Sequence, residues 1–142
     1  MSHDPDCVFC KIVKGELPCF KLLETDLAIA FMDINPFNDG HCLVVTKAHY
    51  TDLFEARQDD LIAVAKTVPR LAAAVRTALQ PAGLNIIQAN GPAAGQSVFH
   101  YHCHVFPRRQ GDEARLNWTQ TPGDMARIEG NYNKILAALE AG

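Results

Sequence analysis

The segment Ser97-Val98-Phe99-His100-Tyr101-His102-Cys103-His104-Val105-Phe106-Pro107 places three of the chain's six histidines in one five-residue window. In an extended strand successive side chains alternate between faces, so His100, His102 and His104 share a face, with neighbours about 6.5–7 Å apart. The other face carries Phe99, Tyr101, Cys103 and Val105, all suited to packing. Three unpaired imidazoles are costly to desolvate, so core packing does not account for the row. Apart from a solvated row without a role, two chemistries do. Alternate strand histidines serve as metal ligands, which requires a further ligand from elsewhere. Alternatively, a neutral imidazole attacks phosphorus while a neighbouring imidazolium donates a proton to the leaving group.

The loop ahead of the row, Gly91-Pro92-Ala93-Ala94-Gly95-Gln96-Ser97, supplies small residues, backbone N–H groups and two polar side chains. Such a loop cradles an anion. Its juxtaposition with the histidines makes phosphate the favoured substrate group.

These residues need a scaffold. Residues 7–14 form a short apolar segment ending at Gly15, a helix stop. Runs 19–23 and 27–34 read as a hairpin through Glu24-Thr25-Asp26, and the turn-rich stretch 35–40 leads into a strand at 41–46. Leu61, Val64, Ala65, Val68, Leu71, Ala72, Val75 and Leu79 follow the 3-4 spacing of a core-facing helix. Pro69 inside that stripe predicts a kink or a division. Strands at 84–88 and 98–106 and a helix from Gly123 onward complete a single antiparallel α+β domain over 1–142.

Composition sets limits. Thirteen Lys+Arg against sixteen Asp+Glu give a charge of −3 in 142 residues, so nothing favours binding a nucleic-acid polyanion. Apolar runs such as 71–75 are far too short to span a bilayer, and the start, MSHDPDC, has no secretory pattern. Five cysteines, an odd count, fit a reducing, cytoplasmic location better than a disulfide framework.

His100-Tyr101-His102-Cys103-His104-Val105-Phe106 resembles the signature of the histidine-triad (HIT) family. The resemblance extends to 7–12, 24–34, Gly40-His41, 47–50, 90–97, Pro107-Arg108 and Gly111-Asp112; it covers most of 7–112 and leaves 113–142 as a C-terminal extension. It implies a HIT-like fold: a five-stranded antiparallel sheet, one long central helix and a C-terminal helix. It also implies a purine-nucleotide hydrolase acting at the α-phosphate through a nucleotidyl-histidine intermediate. Position matching makes His102 the nucleophile, with His104 on the phosphate and leaving group and His41 in support. Gln96 and Ser97 match residues holding the phosphate or leaving group, in the loop that contains Gly95. Asp33 matches the ribose-binding carboxylate, and Phe9, Ile12, Phe31 and Ile34 match the surroundings of the base and ribose. Many relatives carry an amide side chain where this chain has Ala89, so one ribose or phosphate contact is either missing or supplied by Asn90.

His104 in the third triad position argues against the uridylyltransferase branch. The compact Hint-like and Fhit-like members remain, which hydrolyse phosphoramidates and dinucleoside polyphosphates respectively, and the sequence leaves both open. A nucleotide-binding regulatory protein and a zinc hydrolase using the triad as ligands are the alternatives. Cys7-x-x-Cys10 has metal-ligand spacing, and His49 with His100 would complete a structural Cys₂His₂ zinc site; some bacterial-type relatives have such a site. Relatives also form homodimers with a sheet continuous across the interface, and the Ala-rich helix over 59–79 suits close helix approach.

Overall fold

The computed structural model describes residues 1–115 and 120–142. Trp118, in the C-terminal extension, lies outside the described residues. Five strands, β1 (Lys21–Glu24), β2 (Ala28–Met32), β3 (Cys42–Thr46), β4 (Gly83–Ile87) and β5 (His102–Arg108), form one antiparallel sheet in the order β1-β2-β3-β5-β4. The helices are α1 (Val8–Val13), α2 (Gln58–Leu79) and α3 (Met125–Ala141), with a 3₁₀ turn at Pro92–Ala94.

Alternation gives the central strands two apolar faces. Ala28, Ala30, Cys42, Val44, Cys103 and Val105 pack beneath Val64, Leu71 and Val75 of α2. Ile29, Phe31, Leu43 and Val45 point the other way, where Phe9 of α1 covers them. Burying one such side chain contributes about 1.5–3 kcal/mol, so a one-residue slip of register would reverse every favourable contact at once. Register sets Val45 opposite His102 and Leu43 opposite His104, which fixes both histidines over the α1 side of the sheet.

Three expectations are corrected. Pro69 does not divide the long helix, which runs unbroken through 22 residues. Ala65, counted in the core-facing stripe, is exposed together with Pro69, so the Ala65 carbonyl that loses its i+4 donor is open to water. The last strand begins at His102 rather than at 98, so His100 and the exposed Phe99 precede the ladder. It also runs through Pro107. The Pro107 carbonyl accepts from Asn38 Nδ2 at 2.9 Å, on the side where the ladder with β3 has already ended at Val105, so the missing N–H breaks no ladder bond.

The helix expected from Gly123 is present as α3, capped by Asp124, whose carboxylate accepts from the Arg127 N–H at 3.0 Å. None of its residues is buried. No helix among the described residues is long and apolar enough to cross a membrane.

Candidate active site

His102, His104 and Phe106 follow one another on one face of β5 and line a cavity of about 550 Å³ between the sheet and α1. Phe9, Ile12 and Phe31 form its apolar end, and the β2–β3 turn brings in Asp33, Ile34 and His41. Ser97 stands at the rim. Gly40 shapes that turn at φ +87°; a Cβ there would come within 2.4 Å of Leu79 Cδ1, so His41 enters its strand from a corner that only glycine fills.

Backbone groups fix the tautomer of each ring. His102 Nδ1 lies 2.5 Å from the His100 carbonyl oxygen, so Nδ1 carries the proton and the Nε2 lone pair is free. The Phe37 N–H donates to His41 Nδ1 at 3.2 Å, which leaves the His41 proton on Nε2, 2.8 Å from His104 Nδ1. His104 must then carry its own proton on Nε2. The site therefore pairs an acceptor ring, His102, with a donor ring, His104, their centroids 4.8 Å apart.

Burial favours neutral rings. It is the main cause lowering the pKa of His41 and His102, and of His104, which is brought down to about 4 with help from the neighbouring His102 and His41. Asp33, whose Oδ2 lies 3.6 Å from His41 Nε2, opposes the shift. An uncharged His102 near neutral pH is what a nucleophile requires.

His100 is oriented differently. Its Nε2 lies 2.7 Å from the Thr46 carbonyl oxygen, which places the ring proton there and turns the Nδ1 lone pair toward Cys7 Sγ at 3.3 Å and Cys10 Sγ at 3.6 Å. His49 Nδ1 lies 3.4 Å from Cys10 Sγ, and the four ligand atoms stand within 4.8 Å of one another. Ideal Zn–S and Zn–N bonds put neighbouring S and N ligands about 3.5 Å apart, so the set fits a tetrahedral zinc ion with an orienting carbonyl behind His100.

Residues 14–111 match the model of the HIT domain. The chain belongs to the histidine-triad family. It is 41% identical over 135 residues to the adenosine 5'-monophosphoramidase of Schizosaccharomyces pombe, covering 94% of this chain and 98% of that one. The crystal structure of SMU.412c from Streptococcus mutans UA159 superposes with a TM-score of 0.92 at 36% identity, covering 97% of this chain and 88% of that one. A zinc-bound histidine triad family protein from Mycobacterium smegmatis superposes at 0.72 with 36% identity and 96% coverage of both chains.

Against the HIT pattern, the structure gathers Phe9, Ile12, Phe31, Asp33, Ile34, His41, Ser97, His102 and His104 at the cavity. It does not bring Asn90, Gly95 or Gln96 to its lining. The Gln96 amide is committed to backbone groups: Oε1 accepts from the Gly91 N–H of its own loop at 2.8 Å, and Nε2 donates to the Thr51 carbonyl of a neighbouring loop at 2.6 Å. Asn90 Oδ1 accepts from the Leu53 N–H and its Nδ2 donates to Gln88 Oε1, which ties two loops together. The Gly95 N–H closes the 3₁₀ turn on the Pro92 carbonyl, so it is spent before it could meet an anion. Phe37 and Phe106, unassigned from the sequence, stack at 5.2 Å beside His41. The alternation 102-104-106 could have revealed Phe106; the Phe37 contribution is a backbone N–H, which no residue type announces.

Proposed function

We propose that this protein hydrolyses purine nucleotides substituted at the α-phosphate, with phosphoramidates the favoured class, as a single cytoplasmic domain. The observation that carries this reading is the pair of opposed tautomers: an Nε2 lone pair on His102 beside an Nε2–H on His104. The base lies among Phe9, Ile12 and Phe31, and the ribose hydroxyls donate to Asp33. His102 Nε2 attacks phosphorus as the bond to the leaving group breaks, and His104, whose ring gains a proton once the anionic phosphate stands beside it, donates that proton to the departing amine and returns to the neutral form. The nucleotidyl-His102 phosphoramidate is then hydrolysed by water, giving the nucleoside monophosphate and free histidine; two inversions leave configuration at phosphorus retained. The name of the Schizosaccharomyces pombe relative supports the phosphoramidate class.

Cys7, Cys10, His49 and His100 would hold a structural zinc ion, which when bound contributes a crosslink between the N-terminal segment and the sheet. Metal catalysis by the triad finds less support, since the His100 lone pair is turned toward the cysteines while His41 and His104 bond to each other. A homodimer through the β4 edge belongs to the same proposal, because that edge strand leaves Ile86 and Ile87 partly exposed.

Rapid quenching of the reaction with an α-³²P-labelled adenosine phosphoramidate tests the mechanism. The expected result is label on a histidine in the wild type and none in His102→Ala, which still binds AMP. Near-normal turnover by His102→Ala, or chelation that stops turnover without any labelled histidine forming, overturns it.

A further inference from the structure

The four zinc-fitting residues adjoin the cavity through α1 and His100. Phe9 sits between Cys7 and Cys10 in sequence, and α1 also delivers Val8 and Ile12 to the cavity. The Phe9 ring packs edge-on against His102 at 5.2 Å, Phe31 at 5.6 Å and His100 at 5.8 Å. The same His100 that offers Nδ1 to the two thiols offers its carbonyl to His102 Nδ1. One residue therefore faces the cysteines with its side chain and the nucleophile with its backbone.

Without a metal, α1 is held by the burial of Phe9 against Ile29, Phe31, Leu43 and Val45 and by a few weak polar tethers. The helix has six residues, less than the length that is stable alone in water, and its N-cap position, Cys7, makes no side-chain capping bond. Its tethers are thiol contacts to His49 and His100, the Asp4 N–H to Cys10 Sγ at 3.3 Å, and the bonds of Ser2 to the backbone of His49. Val8 remains 41% exposed, so burial on the outer side adds little.

We propose that metal binding at Cys7, Cys10, His49 and His100 sets nucleotide affinity, by clamping Phe9 over the base end of the cavity against the His102 ring. Phe9 is then a positioning and specificity residue whose place depends on metal occupancy. This inference rests on the nucleotide reading above. It predicts a larger effect on affinity than on chemistry: His102 and His104 are held by the register of β5 with β3, and only the His100 carbonyl bond links His102 to the metal ligands.

The test is a cycle between zinc and Phe9, read by calorimetric AMP binding on the full chain. Zinc-loaded protein should bind AMP at least tenfold more tightly than protein stripped by a chelator, and zinc should restore the difference. Phe9→Ala should lose a similar factor when loaded and lose little more when stripped, because both changes remove the same contact. Single-turnover rates at saturating substrate should move far less than affinity. Should the stripped protein unfold, His49→Gln supplies the second measurement: it removes a ligand that lies outside both α1 and the His100–His102 segment, so AMP affinity should recover along the same curve as zinc occupancy, shifted to higher zinc. Equal AMP affinity with and without zinc, losses that add in the cycle, or no zinc uptake would overturn the inference. A loaded protein that fails to bind AMP at all would instead overturn the nucleotide reading, and the inference with it.

Discussion

His41 Nε2 stands 2.8 Å from His104 Nδ1, and the proton between them belongs to His41 because the Phe37 N–H occupies its other nitrogen. The bond persists only while His104 is neutral, since a protonated His104 would set two N–H groups against each other. Burial already holds the His104 pKa at about 4.

A stability profile follows from that pair. The unfolded chain binds a histidine proton near pH 6.5, while folded His104 does so only near 4. Between those values the unfolded state carries more protons, so the contribution is complete above about pH 6.5 and is lost as pH falls toward 4. Urea denaturation at pH 7, 6 and 5 should give a falling unfolding free energy, and His104→Gln should flatten that fall. A variant as acid-sensitive as the wild type would show that His104 does not contribute.

Asp33 is expected to read ribose. Its Oδ1 accepts from the Asn35 N–H at 2.8 Å and its Oδ2 faces the cavity near His41, so the carboxylate is held in place before substrate arrives. A hydrogen bond to a charged group contributes about 1.5–3 kcal/mol, or roughly 10–100-fold in binding. Asp33→Ala should weaken binding of AMP by that factor while leaving 2',3'-dideoxy-AMP nearly unchanged. Equal losses for both ligands would remove Asp33 from ribose recognition.

The end of α2 offers a change remote from the chemistry. Gln80 caps that helix at φ 48° and ψ 51°, the left-handed conformation, which costs a non-glycine residue roughly 1 kcal/mol. Gln80→Gly should stabilise the protein by up to about 1 kcal/mol, raising Tm by about 4 °C with kcat unaltered. Differential scanning calorimetry decides the sign.

The sequence made the scaffold readable because alternation and the 3-4 stripe act over many residues, so errors at any one position cancel. Val64, Leu71 and Val75 fall where their spacing puts them, and Pro69 failed to interrupt the helix only because Ala65 faces solvent. Single positions were harder to read. The row of His100, His102 and His104 reads as one strand face, yet the ladder with β3 stops at Val45 opposite His102. Two bonds then assign His100 to the cysteines rather than to the cavity. Gln96 looks like a ligand because its type suits phosphate, but a buried amide first satisfies the backbone groups around it, here Gly91 of its own loop and Thr51 of the neighbouring one. The tautomers were illegible for the same reason, being set by the His100 and Thr46 carbonyls and the Phe37 N–H.

The opposed tautomers make one more demand, on the dependence of rate on leaving group. If His104 donates the proton, removing it must hurt most where the leaving group most needs protonation. An alkyl amine expelled from a phosphoramidate departs poorly as an anion, whereas p-nitrophenolate departs without help. His104→Ala should therefore slow hydrolysis of an adenosine alkylphosphoramidate by about 10²–10⁴-fold and the p-nitrophenyl ester of AMP far less. His41→Ala should show the same bias more weakly, because His41 acts only by fixing where the His104 proton resides. His102→Ala should abolish both reactions, since each needs the attacking nitrogen. Measuring kcat for the two substrates across the three variants separates the roles. A His104→Ala enzyme slowed equally on both would place His104 on the phosphate oxygens rather than on the leaving group, as a charge-stabilising donor whose contribution does not depend on what departs.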